Sequence, residues 1–176
     1  MAIALDRARI EEILRGVADR VEGDWVLVGG ALVAVWLDAR RTTEDVDMVS
    51  IRGSAEDRTA LFDAAEALGL PLETLNSAAD WFLRRIDGWD VGLRELVAGK
   101  RARILRPSPT VLVLSKLSRL SESDLEDCRA AIAWAGSVGQ PLDTERLLTA
   151  LAALRPVEGA LAARRSSLRA ALEQRS

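Results

Sequence analysis

Trp25-Val26-Leu27-Val28 is a continuous apolar run that ends on Gly29-Gly30. A run of this length beside a turn signal reads as a buried strand, and the residues after it predict a helix from Ala31 to about Ala39. Strand, glycine pair and helix in immediate succession commit this part of the chain to mixed α and β structure. In such a turn the missing side chains let backbone N–H groups approach a phosphate at the helix N-terminus. Geometry alone is the commoner reason for glycine at a strand-to-helix turn. A dinucleotide fingerprint is excluded, because no third glycine follows at the G-x-G-x-x-G spacing.

A second strand is predicted from Asp45 to Ile51, closed by Gly53. Asp45 and Asp47 are two apart, so on a strand both carboxylates point to one face. Two close acids repel, burial without compensation would raise a pKa, and a divalent cation resolves the conflict. A solvated strand end is the alternative. Val46 and Met48 on the opposite face predict a central strand. Upstream, Arg41 and Thr43 share parity with the two aspartates. An arginine there can contact a triphosphate and a threonine hydroxyl can orient a carboxylate or nucleotide; an ordinary loop explains them equally well.

Helical periodicity covers Ala4 to Val21, with Gly23 ending that helix. Ser54 with Asp57 predicts the cap of another helix whose stripe is Leu61, Phe62, Ala65, Leu68 and Leu70. Trp81 to Ile86, Asp87-Gly88, and Trp89 to Leu96 read as a hairpin with a type I′ turn, and Arg103 to Arg106 as one more strand. Beyond Pro107 and Pro109 the pattern is helical: Thr110 to Leu120, a helix capped by Ser123 with Glu126 and running to about Ala135, then Thr144 to Leu154 and Val157 to Gln174. The expected fold is α+β, a mixed sheet flanked by helices over residues 1–106, with a helical C-terminal part, 107–176, packed on it.

Composition narrows the chemistry. The chain has no histidine and one cysteine, Cys128, which removes histidine-dependent triads, histidine metal sites and thiolate zinc sites. Chemistry must come from Asp, Glu, Lys, Arg, Ser, Thr or backbone groups, and carboxylates holding a hard cation such as Mg²⁺ lead. A net charge of −3 argues against sequence-independent coating of nucleic acid. Arg84, Arg85, Arg94, Lys100, Arg101, Arg103 and Arg106 form a local basic stretch, read either as an RNA groove or as solvated strand faces. No apolar run approaches the ~20 residues that span a bilayer, and Met1 to Ile10 shows no secretory pattern; the expected location is cytoplasmic, with no membrane partner.

Gly29-Gly30 followed by Arg41-x-Thr43-x-Asp45-Val46-Asp47 resembles the glycine turn and paired-aspartate signature of the nucleotidyltransferase (polymerase-beta-like) superfamily. It is most similar to the bacterial subgroup related to abortive-infection toxin nucleotidyltransferases. Lys116-Leu117-x-Arg119 before Asp124-Leu125-Glu126-Asp127 is similar to that subgroup's helical segment. The resemblance covers about Val26 to Ile132. It implies that Gly29, Gly30, Arg41, Thr43 and Lys116 bind an NTP, that Asp45 and Asp47 hold Mg²⁺ and catalyse, and that Asp124 and Asp127 orient Lys116. An interhelical salt bridge is the other reading of Lys116 with Asp127.

Two departures stand out. Gly30 replaces the serine of many members, and the third carboxylate has no clear counterpart. Asp90 is the best candidate for that third catalytic acid, with Asp87 and Glu95 behind it. The resemblance implies transfer of NMP from an NTP to a hydroxyl acceptor such as RNA or tRNA. It also implies a role in a toxin–antitoxin or phage-defence system with a cognate antitoxin protein as partner. Two alternatives are a non-catalytic nucleotide- or partner-binding member of the fold and a helical interaction protein working through Thr144 to Gln174.

Overall fold

A computed structural model describes residues 4–175. The chain divides into two compact units, Met1–Ser108 and Pro109–Ser176. The first holds the sheet and the second is helical.

In the first unit, α1 (Arg7–Ala18) begins where the Asp6 carboxylate accepts the Arg9 N–H at 2.9 Å. It buries Ile10, Ile13, Leu14 and Val17, a stripe at helical spacing. The helix is shorter than the predicted Ala4–Val21 because this cap fixes its start. Leu5 lies outside it and bridges Thr43: Leu5 N–H donates to the Thr43 carbonyl at 2.6 Å and Thr43 N–H returns to the Leu5 carbonyl at 3.2 Å. Gly23 opens a strand rather than closing the helix.

The elements that follow are β1 (Gly23–Val28), α2 (Gly29–Trp36), β2 (Val46–Ser50), α3 (Ala55–Ala67), a 3₁₀ turn at Leu72–Thr74, β3 (Leu75–Asn76), α4 (Asp80–Leu83), β4 (Arg94–Ala98) and β5 (Ala102–Arg106). They build one sheet in the order β3-β2-β1-β5-β4. β1 runs antiparallel to β2 and parallel to β5, while β2 is parallel to β3 and β4 antiparallel to β5. α2 lies against β1 and β2, and α1 against β4 and β5. Trp25, Val26, Leu27, Val46, Met48 and Val49 are buried, each apolar side chain of this size contributing roughly 1.5–3 kcal/mol. The predicted central position of the Asp47 strand is present, β2 having a neighbour on each side.

Two further expectations change in this unit. α2 starts at Gly29, so the glycine pair forms its first turn rather than a linker before it. The hairpin predicted around Asp87-Gly88 does not form: Asp80–Leu83 is helical and turns follow as far as β4. Arg84 accounts for the helical turn, because its guanidinium donates to the Asp80 carboxylate one turn earlier at 2.8 Å and to the Ser50 carbonyl, the i,i+4 geometry that favours helix. The hairpin of this unit is β4 with β5. The cap predicted at Ser54 with Asp57 is present as a capping box.

The second unit comprises α5 (Pro109–Lys116), α6 (Glu122–Ser137), α7 (Thr144–Ala152) and α8 (Gly159–Glu173). α5 stops four residues before the predicted end, and Leu120 then takes a left-handed backbone, φ 38°. The cap of α6 is Ser121 with Asp124, not Ser123 with Glu126: Ser121 Oγ accepts the Asp124 N–H at 3.2 Å while Asp124 accepts the Ser121 N–H at 3.0 Å. Asp124 prevails because its short carboxylate reaches back to the cap and is also fixed by basic partners. No helix among the described residues is long and apolar enough to cross a membrane.

Candidate active site

The register of the sheet brings Asp47 to the glycine turn. Val28, the last residue of β1, stands opposite Asp47 on β2, so the aspartate emerges beside the first turn of α2. A Cβ added to Gly29 would lie 2.7 Å from Asp47 Oδ2, and Gly29 has φ +69°, a conformation that costs other residues roughly 1–2 kcal/mol. A Cβ on Gly30 would lie 2.9 Å from Thr43 Oγ1. Thr43 Oγ1 in turn donates to Asp45 Oδ1 at 3.0 Å. Gly29, Gly30, Thr43, Asp45 and Asp47 therefore form one patch, in which the glycines make room for the polar side chains.

Asp45 stands one residue before β2 rather than on it. The Leu5 bridge and the Thr43 hydroxyl hold residues 43–45 ahead of the ladder, so Asp45 reaches the patch through Thr43 and not through strand alternation. Both aspartates are half-buried. α2 has no side-chain cap and no acidic residue in its first turn; its leading N–H groups and the positive end of its dipole face this patch. Arg41 is half-buried two residues before Thr43, its N–H donating to the Asp38 carbonyl at 3.0 Å.

Asn76 belongs to the same constellation and sequence reasoning missed it. On β3 it is the register partner of Asp47, and side chains at one level of adjacent strands share a face. Its Oδ1 accepts the Ala78 N–H at 3.0 Å. A strand of two residues has no periodicity to read. Leu5, which anchors Thr43, was likewise hidden inside a helical pattern.

The other candidate residues are distributed differently. Asp90 is exposed in the turns between α4 and β4, because the strand expected from Trp89 begins only at Arg94. Glu95 lies on β4, separated from β2 by β1 and β5. Among the described residues, no group of three or more His, Cys, Asp or Glu side chains is arranged to hold a metal ion. The basic stretch is divided: Arg103 pairs with Asp24 at 2.8 Å, Arg101 with Glu22, Arg84 with Asp80, and Arg106 stacks 4.1 Å from the Trp36 ring centroid. These residues support strands and turns rather than one continuous groove.

In the helical unit, Lys116 Nζ donates to Asp124 Oδ1 at 2.9 Å and to Asp127 Oδ2 at 2.8 Å. Arg119 adds two bonds to Asp124, at 2.8 and 2.9 Å. Lys116, Asp124 and Asp127 are buried. Burial disfavours the charged form of Asp124, but the hydrogen bonds from Arg119 and Lys116 outweigh it and hold the carboxyl well below the usual carboxylate range. Burial pushes the neighbouring Cys128 thiol up to about 12, far from the acidity of a reactive cysteine.

Two oxygen-bearing carboxylates with a hydroxyl beside an uncapped helix N-terminus suit a hard cation carried by phosphates, since Mg²⁺ is commonly held by one or two carboxylates plus substrate phosphates and water. Comparison with curated proteins and with solved structures finds no match. A family model matches residues 4–151, spanning the glycine turn, both aspartates and the Lys116 cluster, and by it the chain belongs to the family described as "Nucleotidyltransferase of unknown function (DUF6036)".

Proposed function

We propose that the chain transfers a nucleoside monophosphate from an NTP to a hydroxyl acceptor, with Gly29, Gly30 and Thr43 seating the triphosphate and Asp45 and Asp47 holding its Mg²⁺. The observation that carries this reading is the convergence of Asp47, Thr43 and Asp45 on the Gly29-Gly30 backbone. In the reaction, the acceptor hydroxyl oxygen bonds to the α-phosphorus. The bond from that phosphorus to the α,β-bridging oxygen breaks, and pyrophosphate leaves with the electron pair. A carboxylate of the pair takes the hydroxyl proton and passes it to water. Bound Mg²⁺ supplies neutralisation of phosphate charge. The first-turn N–H groups of α2 orient the triphosphate, and half-burial of the aspartates limits competition from bulk water.

Asn76 favours a second reading, in which the site binds nucleotide without transfer. It sets a neutral amide at the level of Asp47, where an acid would strengthen cation binding. One experiment separates the two: incubation with α-³²P-labelled NTPs, Mg²⁺ and total RNA or tRNA, alongside calorimetric titration with each NTP. Labelled product that disappears in the Asp45→Asn, Asp47→Asn double variant supports transfer. Saturable NTP binding without product selects the second reading. Neither binding nor product overturns both.

A further inference from the structure

Asp47 has a register partner on each side, Val28 on β1 and Asn76 on β3. Val28 is apolar and leads into the glycine turn, so Asn76 is the polar side chain that a neighbouring strand sets beside Asp47. Adjacent strands lie ~4.8 Å apart, close enough for both residues to meet one ligand. A carboxylate at this position would add a third acid to Asp45 and Asp47; among the described residues no such trio is present.

The orientation of the amide is fixed by its neighbour. The Ala78 N–H can only donate, so the atom it meets at 3.0 Å is the Asn76 carbonyl oxygen, and that bond decides which way round the amide lies. It is the local turn that an Asn side chain forms with the backbone two residues on. With Oδ1 turned along the chain to Ala78, the NH₂ group on the other branch of the planar amide is left for the face shared with Asp47. This group makes no hydrogen bond among the described residues and is not sealed from water. Asn76 as a whole is half-buried, so the donor is held in place and still within reach of a ligand.

An amide NH₂ donates hydrogen bonds and does not ligate a cation. Beside two carboxylates it therefore completes a different site from the one that three acids would make. Three acids repel one another and an anionic triphosphate, and further cations must offset that repulsion. Two acids are neutralised by one divalent cation, and a donor in the third place attracts a phosphate oxygen directly. We infer that the patch seats the triphosphate with a single divalent cation on Asp45 and Asp47, and that Asn76 Nδ2 donates to a non-bridging phosphate oxygen. Asn76 is then a nucleotide-binding residue that also limits the number of cations. The inference rests on the reading that this patch binds an NTP with its cation, and it holds whether or not transfer follows.

The test counts cations and weighs the nucleotide separately. The full chain is mixed at equal concentration with an α,β-methylene NTP of each base in turn, whose transferable bond cannot break, and titrated with Mn²⁺ while electron paramagnetic resonance reads the free ion. Calorimetry gives the affinity for the analogue. The wild-type complex should bind a single Mn²⁺. Asn76→Asp keeps an oxygen for the Ala78 N–H and so preserves the turn, but it replaces the donor with a charge. That variant should bind a second Mn²⁺ and, before the second ion is supplied, hold the analogue about 10-fold more weakly, the loss of one hydrogen bond to a charged group; excess Mn²⁺ should restore most of the affinity. Asn76→Ala should weaken the analogue by a similar factor with the cation count unchanged. Cation count and affinity unchanged in Asn76→Asp would mean that the residue only builds the turn, and would overturn the inference. A second Mn²⁺ in the wild-type complex would overturn it too, and both results leave the NTP reading standing. Absence of any analogue binding overturns that reading together with the inference.

Discussion

The Asp45–Asp47 patch and the Lys116–Asp124–Asp127 cluster use the same residue type under opposite conditions. In the helical unit two carboxylates are sealed, and Lys116, Arg119 and Ser121 satisfy them within the fold. In the sheet unit the aspartates are half-buried, Asp45 is held by a neutral hydroxyl, and Asp47 abuts a glycine backbone. A buried, fully bonded ionic cluster is a structural commitment, because removing one partner leaves a stranded charge. Acids that water can still reach are able to exchange solvent for a ligand. Under the proposed function, this difference gives the chemistry to the sheet patch and leaves the helical cluster to hold its own unit together.

The largest expected effect tests the sheet side. Asp45→Asn with Asp47→Asn should lower the transfer rate at least about 1,000-fold, near 4 kcal/mol of barrier. The midpoint of urea unfolding should change little, since neither side chain is sealed in the core. Parallel rate and unfolding measurements check this. A double variant that unfolds while its folded fraction keeps full activity would reverse the comparison.

The helical side is expected to behave in the opposite sense. Lys116→Met removes the ammonium shared by Asp124 and Asp127, and should cost about 3 kcal/mol in urea or guanidinium unfolding. A loss below about 1 kcal/mol would show that the carboxylates are satisfied without it and that Lys116 is held for another purpose.

What the sequence disclosed follows the same division. Strand β1, the glycine turn and the central place of β2 were legible because continuous apolar runs and alternation are local signals. The paired aspartates were legible by spacing, although Asp45 reaches the patch through Thr43 rather than along a strand. Asn76 was invisible because its strand has only two residues. The Leu5–Thr43 bridge was invisible because nothing in a local window announces a partner so distant in the chain. The expected hairpin failed where Arg84 ties Asp80 to Ser50, a tertiary arrangement that overrides the Asp87-Gly88 turn signal. Ser121 displaced Ser123 as a cap because Asp124 was already fixed by Lys116 and Arg119.

Acid titration sharpens the comparison at smaller amplitude. The Asp124 carboxyl titrates lower in the folded chain than in the unfolded chain, where aspartate has a pKa near 3.9. The unfolded state therefore binds this proton first as pH falls. The contribution of Asp124 is fully present above about pH 5, declines below about pH 4, and continues to decline until the folded carboxyl protonates. Asp124→Asn should be less stable at neutral pH and lose less on acidification. Urea midpoints measured from neutral pH down to pH 3 test this; parallel curves for the two proteins would place the acid sensitivity elsewhere.

The smallest effect concerns the space that the glycines leave. Gly30→Ala gains up to about 1 kcal/mol of helix propensity but sets a methyl 2.9 Å from Thr43 Oγ1, so its net stability change should lie within about 1 kcal/mol of zero. Thr43→Ala alone removes the hydroxyl that holds Asp45 and is expected to be mildly destabilising. Together the two substitutions should be less harmful than the sum of their separate effects, with a coupling of roughly 0.5–1 kcal/mol, because the alanine at 43 vacates the space the new methyl needs. A double-mutant cycle in urea measures that coupling. Strict additivity would mean that Thr43 rotates away at no cost and that its contact with Gly30 does not shape the patch; a favourable coupling shows that the missing side chain at Gly30 is what seats Thr43 beside Asp45.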